Sequence, residues 1–140
     1  IQKYHQKISG PILDRIDLHV EMPAIEYKDL AGQTVQESSE EIRKRVAKAR
    51  EIQTKRFAGN PGKTNALMTT REIRKHCTAT DPAKALLERA MKELELSARG
   101  YHKILKIART IADLAASESI REEHIAEAIQ YRTLDRNWFR

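Results

Sequence analysis

Cysteine, glycine, proline and aromatic side chains are all scarce in these 140 residues. The single cysteine, Cys77, excludes an internal disulfide framework and suits a reducing compartment. Aromatics make up 5%, with five glycines and four prolines, which argues against a sandwich or barrel of many short strands. No apolar run approaches the roughly 18–20 residues of a membrane helix, and the first residues carry no signal-peptide core. What is present is 40% hydrophobic and 33% charged residues, the balance of a globular chain of about one domain. The expectation is a helix-rich, cytoplasmic-type protein with no membrane partner.

Charge is in excess on one side. The net charge is +6, and the stretch from Arg43 to Arg56 holds seven bases (Arg43, Lys44, Arg45, Lys48, Arg50, Lys55, Arg56) against one acid, Glu51. Such a block points to nucleic acid or another polyanion, with Arg43, Lys44, Lys48 and Lys55 as the candidate DNA contacts. A solvated helix face is the plainer reading of the same residues.

Patterning divides the chain. Ile16, Leu18, Val20 and Met22 alternate with Asp17, His19 and Glu21 before Pro23, the period-2 signature of a half-buried strand. One strand cannot satisfy its own backbone, so its sheet partners are either elsewhere in a parent protein or missing, and the chain reads as a fragment. Residues 35–140 read as helical. Thr34 with Glu37 fits a capping box for a helix carrying Ile42, Val46, Ala49 and Ile52, ending near Phe57 before Gly59-Asn60-Pro61-Gly62. Thr69 with Glu72, Asp81 with Pro82, Ser97, and Ser119 with Glu122 mark four further starts. Their buried stripes are Leu87, Ala90, Met91 and Leu94, then Ile104, Ala108, Ile111, Ala112 and Ala115, then Ile125, Ala126 and Ile129. The predicted fold class is mainly α, a helical bundle preceded by one strand.

Three chemistries find little support. Gly62-Lys63-Thr64 ends like a phosphate-binding loop, but Phe57 stands where that loop needs its first glycine, and a basic helix precedes it instead of a strand. His5, His19, His76, His102 and His124 show no metal-ligand spacing, so no metal site is expected. Cys77 and the serines have no paired base for nucleophilic catalysis.

Two arginines stand out by position. Arg15 lies between Asp14 and Asp17 just before the predicted strand, and Arg99 lies in the first turn of a predicted helix, beside Gly100. Each suits a surface ion pair or a guanidinium that reaches a phosphate, and a helix amino end already favours an anion. Composition leaves both open.

Longer strings are more specific. Gly-Pro-Ile-Leu-Asp-Arg-Ile-Asp-Leu-His-Val (10–20), Leu-Ser-Ala-Arg-Gly-Tyr-His-Lys-Ile-Leu-Lys-Ile-Ala-Arg-Thr-Ile-Ala-Asp-Leu (96–114) and His-Ile-Ala-Glu-Ala-Ile-Gln-Tyr-Arg (124–132) resemble the C-terminal part of the magnesium-chelatase-like AAA+ ATPases, YifB/ComM branch. With Ser39–Val46 and Arg56-Phe57, the resemblance covers nearly the whole chain.

This resemblance implies that residues 1–34 are the end of an AAA+ core and residues 35–140 its helical lid. It implies that Arg15 is an arginine finger acting in trans on a neighbouring subunit. Arg99 would be the sensor-2 arginine, which touches the nucleotide of its own subunit. ATP and Mg2+ would then be cofactors of the full-length parent, a homo-oligomeric ring expected to be a hexamer. The fragment itself, without its upstream N-terminal core, is expected neither to hydrolyse ATP nor to hold it tightly. DNA processing such as branch migration is the implied work. The alternatives are a magnesium-chelatase subunit driving metal insertion into a porphyrin, and a stand-alone helical DNA-binding module.

Overall fold

The computed structural model describes residues 12, 15–20, 22–24 and 37–132. Among these described residues five helices follow one another: α1 (Ser39–Arg56), α2 (Thr70–His76), α3 (Asp81–Glu93), α4 (Ala98–Leu114) and α5 (Glu122–Gln130), with a 3₁₀ turn at Asn65–Leu67 between α1 and α2. The mainly α expectation holds. Among the described residues the only β pairing is an isolated parallel bridge, Ala79 to Ile120, which ties the turn before α3 to the turn before α5.

Helix α4 is the centre of the bundle and packs against α1, α2, the 3₁₀ turn and α5, while α3 packs on α5. Its buried stripe is Ile104, Ala108 and Ala112, one residue per turn, with Leu105 beside it. Alanines with no exposed surface recur at Ala83, Ala108, Ala112 and Ala128, so helices approach closely and larger side chains fill the gaps. Those larger groups are Phe57, Met68, Ile73, Leu87, Ile120 and Ile125. Cys77 joins them, and burial pushes its thiol up to about 11, which makes it packing material and no nucleophile.

Two predicted starts hold. Thr69 and Glu72 form a capping box on α2, and Ser97 Oγ accepts from the Gly100 N–H at 3.0 Å on α4. The others shift. Thr34 lies outside the described residues; α1 is capped by Ser38, whose Oγ accepts from Glu41 N at 3.2 Å while Glu41 accepts from Ser38 N at 2.9 Å. For α3 the cap is Thr80 and Asp81 is already helical. For α5 the cap is Arg121, and His124 Nδ1 accepts its N–H at 3.0 Å, so a buried imidazole does the work expected of Ser119 and Glu122. Each shift has one cause: several Ser, Thr, Asp and Glu candidates stand within a turn, and only packing selects among them.

The expected strand is not seen. Residues 16–20 and 22 form no strand, and Ile16, Leu18, Val20 and Met22 are exposed while His19 is buried, against the predicted facing, although Asp17 is exposed as predicted. No neighbouring strand is present among the described residues. The His19 N–H instead donates to Tyr131 O at 2.8 Å, at the end of α5, and this turns His19 inward. The predicted stripe on α1 is also only half right. Ala49 is buried, but Ile42 and Val46 are 42% and 47% exposed, because α1 meets the rest of the bundle only from Ala49 onward.

Candidate functional site

The amino end of α4 places the first candidate. Ser97, itself in extended conformation, caps the helix, and Arg99 is exposed in the first turn. Gly100 is buried, but a Cβ there would meet Leu96 at an ordinary 3.5 Å, so no close approach demands glycine at this position. One turn on, the same helix face carries Lys103. Its Nζ donates to Ile16 O at 3.1 Å and pairs with Asp17 at 3.0 Å. Arg132, at the end of α5, also donates to Ile16 O.

These contacts fix the second candidate. Arg15 sits in a turn closed by its own N–H to Ile12 O at 3.0 Å, and it is exposed. The backbone next to it is thus anchored to the helix face that bears Arg99. Lys103 thus reaches a backbone 87 positions away in sequence, a contact that spacing alone did not reveal.

The four candidate DNA contacts are all exposed on α1. Lys44, Lys48 and Lys55 fall on one stripe opposite Ala49 and Gln53, whereas Arg43 lies about a quarter turn away. Lys44 is paired with Glu40 at 2.7 Å, and Glu51 interrupts the stripe. The phosphate-loop lookalike is a turn, as expected. Gly59 and Gly62 have φ of +94° and +82°, and Lys63 is held by Glu72 at 2.6 Å and over the Phe57 ring at 5.5 Å. Among the described residues no group of three or more His, Cys, Asp or Glu could hold a metal, and no helix is long and apolar enough to cross a membrane.

A charged cluster that sequence reasoning missed lies at the carboxyl end of α4. Asp113 is fully buried and accepts from Arg56 at 2.5 and 2.6 Å, from Asn65 Nδ2 at 2.8 Å and from Arg109 Nε at 3.1 Å. Arg109, 3% exposed, also donates to Glu118 O at 2.7 Å and Ser117 O at 2.5 Å. Burial pulls its guanidinium below the usual value, and Asp113 opposes that pull. The cluster ties α1 and the 3₁₀ turn to α4, and fastens the turn that follows α4. The available signal was the Arg109–Asp113 spacing of four beside the buried alanines at 108 and 112.

Residues 36–132 match the family described as magnesium chelatase, subunit ChlI C-terminal, and residues 1–30 match magnesium chelatase, subunit ChlI. The chain belongs to the magnesium-chelatase-like proteins. Its relatives place it in the YifB/ComM branch of that family. It is 42% identical over 137 residues to competence protein ComM of Haemophilus influenzae, covering 97% of this chain. It is 40% identical over 135 residues, 96% of the chain, to the uncharacterized protein YifB of Escherichia coli. This magnesium-chelatase-like chain spans 26% of the length of each of these two relatives.

Proposed function

We propose that this chain is the lid of a cytoplasmic, ring-forming AAA+ ATPase and lends two arginines to ATP hydrolysis. The observation that carries the reading is the anchoring of the Arg15 turn by Lys103, one helical turn from Arg99. Hydrolysis spreads negative charge over phosphoryl oxygens, and a guanidinium held in position stabilises that charge. Arg99 acts as sensor 2 on its own subunit's nucleotide, and Arg15 acts as the finger on the next subunit of a hexamer. The residues described here supply no phosphate cradle, since Lys63 is committed to Glu72 and Phe57. ATP and Mg2+ are therefore held by the rest of the parent, and this chain alone neither binds ATP tightly nor turns it over.

Mixing single mutants of the full-length parent tests the assignment. Arg15→Ala and Arg99→Ala each lower hydrolysis. In mixed rings, shown to form by tagged co-purification, some interfaces pair an intact Arg99 with an intact Arg15 from the neighbour, and partial activity returns. Rings that form and stay at the single-mutant level refute the trans role of Arg15.

The lysine stripe of α1 supports a DNA substrate, with branch migration as the motor's work, and one relative is named a competence protein. The chelatase name of the matched family favours the second reading, metal insertion into a porphyrin. Stimulation of the parent's ATPase by single-stranded DNA supports the first; stimulation by porphyrin with Mg2+ as substrate supports the second.

A further inference from the structure

The buried cluster uses Arg56 incompletely. Its Nη1 donates to Asn65 Oδ1 at 2.8 Å and to Asp113 Oδ2 at 2.6 Å, and its Nη2 donates to Asp113 Oδ1 at 2.5 Å. A guanidinium has five N–H donors, so Nε–H and one Nη2–H meet no protein acceptor among the described residues. The side chain is 11% exposed, and Arg56 lines two clefts, of about 500 and 320 Å³.

Both clefts share Arg56, Lys75 and His76 as a common wall. Arg109 lines the larger, and Arg71 and Lys63 line the smaller. The acids present are Glu118 in one and Glu72 in the other, and Glu72 is taken up by Lys63. Arg71 and Lys75 are exposed, make no ion pair among the described residues, and stand four apart on one face of α2, where like charges repel. The carboxyl end of α2 accounts for a cation at Lys75. It does not account for Arg71, which sits in the first turn, where the helix dipole disfavours it.

Charge is also unbalanced inside, where two guanidiniums, Arg56 and Arg109, face the single carboxylate of Asp113. The positive field reaches His76. Burial first, then Lys75, Arg56 and Arg109, hold its imidazole below the ordinary value against the opposing pull of Glu72.

We infer that the wall formed by Arg56, Lys75 and Arg71 binds a phosphoryl oxyanion, carried either by a small polyphosphate or by a nucleic-acid strand. The spare N–H groups of Arg56 supply directed donors, and Lys75 and Arg71 supply point charges. This site stands at the carboxyl end of α4, about 15 Å or more along the axis from Arg99, and it does not depend on the lid reading.

The test titrates the isotope-labelled 140-residue chain with pyrophosphate at constant ionic strength and follows backbone amide shifts. Saturable shifts are expected at residues 71–76 and 117–119. The double variant Arg71→Ala with Lys75→Ala should bind about tenfold more weakly, the worth of one charge-assisted hydrogen bond, with an unchanged unfolding midpoint. Arg56 is left in place because Asp113 needs it. Bound pyrophosphate should also raise the His76 pKa. Shifts confined to residues 97–101, equal shifts with sodium chloride, an unweakened double variant or an unmoved His76 each overturn the proposal. A short single-stranded oligonucleotide that displaces pyrophosphate identifies a strand as the source. Pyrophosphate binding that the oligonucleotide leaves untouched identifies a small polyphosphate.

Discussion

Helix α4 carries an arginine-rich group at each end, and the two ends use the same side chain in opposite ways. At the amino end Arg99 is exposed, and Lys103 spends its charge on fastening the Arg15 turn. At the carboxyl end Arg56 and Arg109 are drawn in around Asp113, which is fully buried. About 21 Å of helix axis separates residues 99 and 113. A guanidinium is expensive to bury, so it goes inside only where a carboxylate and several carbonyls meet its donors. Arg99, in contrast, stays in contact with solvent at the surface. The difference teaches that an arginine's role in this bundle is set by the acceptors folding brings to it.

Breaking the inner end should have the largest effect. Asp113→Ala leaves two buried cations facing each other, and a loss of about 3–5 kcal/mol in urea unfolding is expected. Such a loss is a large fraction of the about 5–15 kcal/mol that holds a domain of this size folded. A loss below about 1 kcal/mol would mean that water replaces the carboxylate and that the inner cluster resembles the outer one.

The outer end sharpens the contrast from the other side. Arg99→Ala should leave the unfolding midpoint of the chain within about 0.5 kcal/mol of the wild type. In the full-length parent the same change should cost about 10²-fold in hydrolysis rate. An arginine that costs stability and spares turnover would belong with Arg56 and Arg109.

Caps give smaller and purely local effects. Ser38→Ala removes the box that starts α1 and should cost about 1 kcal/mol, read by thermal unfolding. Glu72 links a cap to an ion pair: the Lys63 ammonium and the Thr69 cap hold its carboxyl down at about 2, from an ordinary 4.5. A depressed carboxylate stabilises the fold above pH 4.5 and loses that contribution as pH falls toward 2. Glu72→Gln should therefore lower stability at neutral pH and flatten the acid limb of the stability curve between those values. An unchanged acid limb would assign acid sensitivity to other carboxylates.

The smallest expected effect is on the fold of α1. Reversing charge at Arg43, Lys44, Lys48 and Lys55 should leave helicity nearly intact by circular dichroism, since all four are exposed. The same change should abolish weak, salt-dependent DNA binding. Unchanged affinity would return these four residues to the role of a solvated face.

The legible features are the local ones. The five described helices, the end of α1 near Phe57, the capping box at Thr69, the cap at Ser97, and the turn around Gly59 and Gly62 depend on residues within about one turn of one another. The amphipathic stripe of α4 was equally plain, because one helix face must be apolar to be buried. Arg15 and Arg99 were marked by their strings, although nothing in the chain showed that Lys103 would join their surroundings.

Sequence by itself determined where the backbone coils and which face of α4 turns inward. Hydrogen bonds within a turn and 3.6-residue periodicity need no distant partner. Tertiary structure alone decided which of several neighbouring polar residues caps α3 and α5, and that residues 16–20 lie irregular with His19 inward. It also decided that Ile42 and Val46 remain exposed, and that Arg56 meets Asp113 across 57 positions. Such outcomes turn on the cost of leaving a buried donor, acceptor or charge unmet. That cost is set by whatever chain folds against the group, and neighbours in sequence do not fix it.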